Sequence, residues 1–377
     1  MCMFNFNERD NSTANWSLAS IPSSEPPDYE DPVTTASITI VHIMMIAVTI
    51  MGNLFVIFLF VCKKKLVSSK PAYRLILNLA FSDLTVGVVS LTVNCAWWIM
   101  GDWPFGEFLC KLYIIVDCTT VYVSVLTVIG ISFDRMLMVT RPFQYRVWET
   151  SAAYHRGILF CLFGVWTVSA IFYGIITFTW SIMTGEYVID YEEDCESEFS
   201  TNVPFGVALV FIELVIPLIV LVVLNVTIYR NIRNRWKRLK RHSMLAMSRL
   251  NNSDGKVERT HNKLKYSARK DSLVGLYEIH KLNNVAKKKR ELLKHQRLAL
   301  RLTIFVGAFL LTWLPYCVTV IMYNGCKGIC ISDITWEVVN LMLWFNSTLN
   351  PFLYAAMNTK FRHVVLSKLC CRRNYST

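Results

Sequence analysis

The chain has 377 residues, of which 54% are hydrophobic and 13% aromatic, so it is too apolar for an ordinary soluble globule with a polar surface. Its formal net charge of +12 would suit a nucleic-acid partner, but the charges lie between long apolar runs instead of on one face. This distribution excludes nucleic-acid binding and favours a membrane protein. The twelve cysteines do not indicate a disulfide scaffold, because half of them lie inside the apolar runs.

Seven segments are apolar and long enough to cross a hydrocarbon core about 30 Å thick as helices. They lie at about 36–62, 73–100, 107–139, 157–182, 204–229, 298–323 and 334–356. The pattern predicts an all-α membrane protein, a seven-transmembrane helix bundle. The predicted domains are a tail (1–35), helices one to five (36–230), a basic loop (231–293), helices six and seven (294–356) and a cytoplasmic end (357–377).

Charge in the connections predicts the orientation. Basic residues follow the first and third runs, whereas the N-terminal tail and the connection between runs four and five are acidic. Because basic connections stay in the cytoplasm, we expect an extracellular N-terminus and a multi-pass protein of the plasma membrane. The N-terminus lacks the basic start and apolar core of a cleaved signal peptide, so we expect the tail to be retained. Glycosylation sequons lie in this tail at Asn11 and Asn15.

The segment 231–293 is the longest polar insertion, with 18 Lys and Arg against 5 Asp and Glu. Its centre is typical of a disordered cytoplasmic linker. Its two ends have helical spacing, and we expect them to extend helices five and six past the bilayer. There they can meet anionic lipid or a cytosolic partner.

Three carboxylates lie deep inside the apolar runs: Asp83, Asp117 and Glu213. A carboxylate at the centre of a transmembrane helix costs about 2.5–3.5 kcal/mol, so each requires a partner or a function. The basic residues within the runs are near their ends and poorly placed to neutralise these acids: Arg74, Lys111 and Arg301. Protonation, a bound cation and water remain as explanations.

Asp117 lies about two helical turns below Cys110, in the outer half of the third run. Aromatic residues that can surround it are Trp313, Tyr316 and Trp344. Core packing alone would explain these rings, but an acid without a basic partner beside them favours a site for an ammonium group. A carboxylate and aromatic walls bind such a group by charge pairing and cation–π attraction.

Glu213 lies four residues before Pro217 in the fifth run, where it can face the same cavity. If both acids do so, the preferred ligand has an ammonium at one end and a donor or second cation at the other. The alternative is a protonated glutamic acid that is hydrogen-bonded to a nearby carbonyl.

Each of the seven apolar runs carries a short motif. In chain order these are Gly52-Asn53, Leu79, Ala80 and Asp83, Asp134-Arg135-Met136, Trp166, Pro217, Phe309 with Trp313-Leu314-Pro315-Tyr316, and Asn350-Pro351-Phe352-Leu353-Tyr354. With this ordered set, the chain resembles the rhodopsin-like G-protein-coupled receptors over nearly its whole length outside the tails and the long loop. The resemblance implies heterotrimeric G proteins, arrestin, receptor kinases and membrane lipids as partners.

The resemblance implies a disulfide between Cys110 and Cys195, which the charge pattern also places outside. It further suggests a second small ring closed by Cys326 and Cys330, as in several amine receptors. At the other end of the chain, Phe361 and Arg362 begin a short amphipathic eighth helix. Cys370 and Cys371 resemble a palmitoylated end.

Carried over from the family, four residues enclose an allosteric sodium ion: Asp83, Ser124, Asn346 and Asn350. Their oxygen ligands suit a hard cation. The residues implied in coupling and activation are Asp134, Arg135, Asn225, Asn350, Pro351 and Tyr354. Arg135 resembles the residue that contacts the G protein, and a salt bridge with Asp134 describes its resting state.

Asp117 resembles the mark of the amine-receptor branch, which implies a biogenic amine as ligand. Glu213, Asn225, Trp344 and the loop residues Glu196 and Phe199 are similar to the third and fourth histamine receptor subtypes. Histamine has an ammonium and an imidazole, which suits two acids. The histamine resemblance also suggests the inhibitory class of G protein.

The chain departs from those histamine receptors at several positions. Cys118 and Val121 stand where they have Tyr and Cys, and Met136 ends a motif that usually ends in an aromatic residue. Other stretches look muscarinic, but Cys317 replaces the Asn that binds the ester of acetylcholine, and Glu213 has no role with a quaternary ammonium. Histamine therefore ranks first, another primary amine second and acetylcholine third.

Other classes of protein fit less well. An enzyme would need a nucleophile and base or a metal cluster, and His42 is the only histidine inside a run. A satisfied structural histidine is the better interpretation of it. A channel would need a polar stripe or carbonyl filter, which the runs lack, and no cofactor is expected.

Overall fold

A computed structural model describes residues 32–62, 71–185, 189–191, 194–200, 202–257, 286–287, 290, 293, 303–304, 306–323 and 331–357. The sequon residues Asn11 and Asn15, the pair Cys326 and Cys330, and the predicted eighth helix with Cys370 and Cys371 lie outside these ranges. So does most of the basic loop.

The described residues form helices and short turns and contain no strand. We number the long helices α1 (Pro32–Cys62), α2 (Pro71–Met100), α3 (Gly106–Thr140), α4 (Ala152–Thr184), α5 (from Val203 to Val257), α6 (Val306–Tyr323) and α7 (Asp333–Met357). A short helix at Pro142–Thr150 follows α3, and a 3-10 turn at Glu198–Ser200 precedes α5. Over the residues described, each of the seven helices overlaps one of the seven apolar runs, and the all-α prediction is confirmed.

Six of these helices are long and apolar enough to cross a membrane. The remaining one, α7, is long enough but more polar. Its buried face carries Glu337, Asn340, Asn346 and Asn350, which contact other helices instead of lipid. On α4 the pattern is the opposite, because large apolar side chains such as Phe160, Phe163 and Met183 are exposed on its surface. Lipid can cover that face.

Local sequence explains where two helices end and begin. The side chain of Ser151 accepts a hydrogen bond from the backbone of Tyr154 at the start of α4, and Gly185 ends this helix in the left-handed conformation (φ 74°). Asn202 caps α5 by accepting from the backbone of Phe205 (3.1 Å), and Pro204 follows the cap. These caps fix the boundaries of the loop between α4 and α5.

The chain divides into two compact units. The larger unit comprises Met1–Ile131, Val147–Val220 and Phe305–Thr377. Within it, α1 packs against α2 and α7. Gly52 permits the close approach of α7, because a Cβ atom there would lie 2.9 Å from Pro351 Cγ. Thr49 and Thr348 join the same helices by a hydrogen bond of 2.7 Å.

A second polar group joins α2, α3 and α4. Asn78 donates to the hydroxyl of Thr127 (2.8 Å) and accepts from the indole nitrogen of Trp166 (3.0 Å). The Thr127 hydroxyl in turn donates a hydrogen bond to the carbonyl of Val123 (2.7 Å). These hydrogen bonds pair polar groups that would find no partner in lipid. They also give Trp166 a structural role.

The loop after α4 is held by the predicted disulfide between Cys110 and Cys195, whose Cα atoms are 5.4 Å apart. Lys111 pairs with Glu107 (2.6 Å) and lies over the ring of Tyr191 (5.2 Å to the centroid). Tyr191 donates to Glu198 (2.9 Å). Burial, with the neighbouring Glu198 carboxylate, raises the pKa of Tyr191 well above its usual value, so the hydroxyl remains a donor.

The smaller unit comprises Ser132–Arg146 and Leu221–Ile304. In it, α5 continues to Val257, well beyond the end of the fifth apolar run at residue 229. This extension carries several exposed basic side chains, among them Arg230, Arg233, Lys237 and Arg238. Arg235 donates to the carbonyl of Thr140 at the end of α3 (3.4 Å).

Candidate ligand-binding site

Asp117 lies on α3 and is 2% exposed. Its Oδ1 atom has no hydrogen-bond partner among the described residues. The side chains of Ser90 on α2 and Trp344 on α7 lie close enough to interact with this carboxylate. Ser90 Oγ and Trp344 Nε1 are themselves buried and have no other hydrogen-bond partner within the same ranges. The three side chains therefore form one buried polar group, in which the carboxylate can accept a further charged donor from a ligand.

Ser90 owes its position to a π turn. Residues Val86–Ser90 form this turn within α2, and Ser90 is its last residue. Turns of this kind are frequent at functional sites because the extra residue rotates the rest of the helix. Gly87 lets the widened turn pack on α1, since a Cβ atom there would be 3.0 Å from Ile50 Cγ1. Ser90 was not among the residues singled out in the sequence, and no sequence signal marks the π turn.

The predicted aromatic residues of α6 are buried. Trp313 stacks on Phe309 with the ring centroids 4.8 Å apart and the planes at 19°, and its indole nitrogen has no partner within the described ranges. Tyr316 packs against Trp336 of α7 (5.9 Å). Tyr316 also lies within electrostatic range of both Asp117 and Glu213. One phenol therefore lies close to both predicted ligand acids.

Glu213 lies in a second π turn, Phe211–Val215 of α5, and is buried. The hydroxyl of Tyr173 on α4 donates a short hydrogen bond to its Oε1 atom. Tyr173 also lies within electrostatic range of Asp117. One partner of the glutamate is thus a hydroxyl donor. The alternative drawn from the sequence, a protonated glutamic acid bonded to a carbonyl, stays open beside it.

The remaining predicted ligand residues are buried as well. Cys118 and Phe199 belong to the same cluster of buried residues as Trp344 and Tyr173. Val121 lies one turn of α3 beyond Asp117 and is 5% exposed. Cys317 stands where muscarinic receptors have an amide side chain. Its thiol donates a hydrogen bond to the carbonyl of Trp313 (2.7 Å), a contact within α6.

Asp83, the carboxylate among the predicted sodium residues, is fully buried. Asn350 Nδ2 donates to Asp83 Oδ2 (2.8 Å), and Ser347 also interacts with the carboxylate. Asp83 Oδ1 and Asn350 Oδ1 have no partner in the described part of the chain. Ser124 Oγ lies 2.9 Å from Ser82 Oγ and 3.0 Å from the carbonyl oxygen of Thr120, and its single hydrogen can be donated to either. The lone pairs of its oxygen stay available as acceptors. Asn346 is buried. Neutral oxygens and one carboxylate suit a hard monovalent cation.

The predicted activation residues fall in both units. In the smaller one, Asp134 Oδ1 accepts from the hydroxyl of Tyr145 (2.9 Å), and Arg135 Nε lies 3.8 Å from Asp134 Oδ2. Asn225 donates to the carbonyl of Leu221 (2.8 Å), a bond within α5. In the larger unit, Asn350 contacts Asp83 and Pro351 packs on Gly52. The side chain of Tyr354 lies outside the described part of the chain.

The sequence reasoning missed a further buried acid, Glu337 near the N-terminal end of α7. Its Oε1 atom lies 2.8 Å from His42 Nε2 on α1 and accepts from Asn94 on α2 (2.8 Å). All three side chains are at most 6% exposed. His42 was interpreted as a satisfied structural histidine, and these contacts show its partners.

The profile of the 7 transmembrane receptor (rhodopsin family) matches residues 52–354. The chain belongs to this family. Its members are receptors and not enzymes. The match agrees with the ordered motifs and with the seven helices.

Individual relatives are distant. The human histamine H4 receptor is 27% identical over 372 residues, covering 87% of this chain and 91% of that receptor. The D(1)-like dopamine receptor of Takifugu rubripes is 27% identical over 346 residues, covering 88% and 69%. The human muscarinic acetylcholine receptor M1 is 24% identical over 410 residues, covering 86% of each chain. These relatives are named for three different ligands, so overall similarity does not choose among them.

Proposed function

We propose that this rhodopsin-family receptor binds a biogenic amine, with histamine as the first candidate, and signals through heterotrimeric G proteins. The observation that carries the proposal is the Asp117 carboxylate, buried with an unpartnered oxygen beside Ser90 and Trp344. An ammonium group can pair with the carboxylate while the indole of Trp344 lies alongside it.

Histamine ranks first because of Glu213. Its carboxylate, held by Tyr173, can accept the imidazole N–H while Asp117 pairs with the ammonium. The similarity to the human histamine H4 receptor is compatible with this choice, and the residues that resemble the third and fourth histamine subtypes support it. A ligand such as dopamine, with hydroxyl donors at its far end, is the second candidate, since a relative named for dopamine is equally similar. Acetylcholine is third, because it offers no donor to Glu213.

The expected topology completes the proposal. An extracellular N-terminus, glycosylated at Asn11 and Asn15, puts the Asp117 site on the outer side and the basic extension of α5 in the cytoplasm. The G protein would then meet Arg135 and the ends of α5 and α6, and the inhibitory class is the one suggested by the histamine resemblance. Arrestin and receptor kinases would act at the same cytoplasmic face.

Replacing Asp117 tests the proposal. In Asp117→Asn we expect radiolabelled histamine binding to fall at least a hundredfold, about 2.8 kcal/mol, because a charge-assisted pair in a dry site is lost. The matched control is Asp102→Asn, the same change at an exposed acid between α2 and α3, which should leave affinity unchanged. Both proteins must be compared at equal surface density. Unchanged affinity of Asp117→Asn for histamine, dopamine and acetylcholine would refute an amine site at Asp117.

A further inference from the structure

The cluster of His42, Asn94 and Glu337 joins three helices of the larger unit. Glu337 Oε1 accepts from Asn94 Nδ2 (2.8 Å) and lies 2.8 Å from His42 Nε2. Asn94 Nδ2 and His42 Nε2 lie 3.1 Å apart because both face Glu337 Oε1. On its other side, His42 Nδ1 lies 3.1 Å from the carbonyl oxygen of Ile38.

These contacts require a proton between His42 and Glu337. A backbone carbonyl only accepts, so Nδ1 must donate to Ile38. A neutral imidazole has one N–H, which would leave a bare Nε2 lone pair facing the carboxylate at 2.8 Å. The contact is favourable only if Nε2 is also protonated, or if Glu337 carries the proton and donates it to Nε2. In both forms the pair has a net charge of zero.

The cluster lies on the helix faces that carry the candidate amine site. Asn94 follows Ser90 by four residues on α2, and Glu337 precedes Trp344 by seven on α7, so each pair shares one face of its helix. Seven residues of helix correspond to about 10 Å along the axis. Tyr113 lies within electrostatic range of both Asp117 and Glu337. A ligand that extends from Asp117 between α2 and α7 would therefore approach Glu337.

We propose that His42 neutralises Glu337 within this hydrogen-bonded pair and that the pair makes the receptor selective for ligands with one ammonium group at the Asp117 end of the site. Without His42, Glu337 would be a second anion on the helix faces that carry the Asp117 site, suited to the far ammonium of an α,ω-diamine. With His42 paired to Glu337, a second ammonium group would gain no charge pairing with Glu337 and would lose part of its hydration. This inference rests on the proposed amine site at Asp117.

The test measures competition by 1-aminoalkanes and by 1,n-diaminoalkanes of the same chain length. In the parent receptor, the diamine should bind no better than the monoamine at any length. In His42→Gln, diamines long enough to span the two sites should gain at least tenfold over their monoamine counterparts. The gain should disappear in His42→Gln/Glu337→Gln, which removes the anion, although Glu213 and Asp117 are still present.

Each outcome decides the inference. A parent receptor that already prefers diamines through Glu337, or a folded His42→Gln variant without any diamine gain, overturns it. If His42→Gln does not reach the cell surface, restored expression in the double variant supports the counter-ion role, and no restoration overturns it. Adding Asp117→Asn to His42→Gln separates the two proposals. If monoamine affinity and the diamine gain are both unchanged by it, the amine site at Asp117 is refuted, and the inference that rests on it falls as well. If Asp117→Asn weakens monoamine binding but His42→Gln gives no diamine gain, the amine site stands and only this inference is overturned.

Discussion

Tyr173 on α4 donates its hydroxyl hydrogen to the Glu213 carboxylate on α5, and both side chains are buried. A hydroxyl donor stabilises a carboxylate, since hydrogen bonds to ionised acceptors are the stronger ones. The same tyrosine lies within electrostatic range of Asp117. The arrangement suits an acid that acts as an acceptor for a ligand.

Glu213→Gln distinguishes histamine from the other amines. The amide keeps the shape and one acceptor but loses the charge, so we expect histamine affinity to fall about tenfold to a hundredfold, or about 1.4–2.8 kcal/mol. Acetylcholine, which has no donor at its far end, should bind equally well or better, because the variant lacks a buried anion. Competition binding at equal surface density, at a pH where the ammonium is charged, measures both ligands.

Two results would contradict this prediction. If histamine is indifferent while another amine loses affinity, Glu213 recognises the far group of that ligand and histamine is the wrong assignment. If no amine responds, the glutamate has a structural role and the argument from two acids fails.

Tyr173→Phe tests whether the phenol supports Glu213. Removing one hydrogen bond to a charged group costs about 1.5–3 kcal/mol when nothing replaces it, but a ligand can supply part of that contact. We therefore expect histamine affinity to fall less than in Glu213→Gln, by about threefold to tenfold. The double variant should equal Glu213→Gln alone, because the tyrosine acts through the glutamate. Additive losses would show that Tyr173 contacts the ligand independently.

The deep acids were predictable from the sequence because ionisable residues are rare inside apolar runs. Asp83, Asp117 and Glu213 stood out on that ground alone, and the structure gives each a polar neighbour. Glu337 did not stand out, because it lies near the end of its run, where charged residues are common. Its partner His42 is almost 300 residues earlier in the chain. Pairing across such a separation depends on tertiary packing, which no local pattern encodes.

The π turns explain why other parts of the site were not predicted. A π turn adds one residue to a helical turn and changes which side chains face inward, yet the residues in Val86–Ser90 and Phe211–Val215 are ordinary apolar helix residues apart from Ser90 and Glu213. The apolar pattern of the sequence therefore predicted the helices but not that Ser90 faces inward. Likewise, Tyr173 is one of several aromatic residues on α4, and only the structure identifies it as the partner of Glu213.

Gly52→Ala tests the contact between α1 and α7. The added Cβ atom would lie 2.9 Å from Pro351 Cγ, and a proline ring inside a helix has little freedom to move away. We expect overpacking to destabilise the receptor by about 1–3 kcal/mol. The measurement is thermal unfolding of the purified, detergent-solubilised protein.

Gly164→Ala is the matched control for that experiment. It lies on α4, and nothing is within 4 Å of the position that its Cβ would take. Because alanine favours helix by up to about 1 kcal/mol over glycine, the control should be neutral or slightly more stable. Equal stability of Gly52→Ala and the parent would mean that α7 shifts without cost at Pro351.

Sodium should lower agonist affinity through Asp83. In the structure, Asp83 Oδ1 and Asn350 Oδ1 are buried acceptors without partners among the described residues, and an ion bound to them would hold α2 and α7 in this arrangement. If agonists favour another arrangement of these helices, the two ligands must weaken each other equally, because coupling between sites is reciprocal. We expect a loss of about fivefold or more in agonist affinity when sodium replaces a large organic cation at constant ionic strength. Asp83→Asn should abolish the dependence, since the amide lacks the charge that offsets dehydration of the ion, while Asp102→Asn should retain it. Agonist affinity that is independent of sodium in the parent receptor would show that Asp83 is held by Asn350 and Ser347 alone, and that its burial is tolerated without an ion.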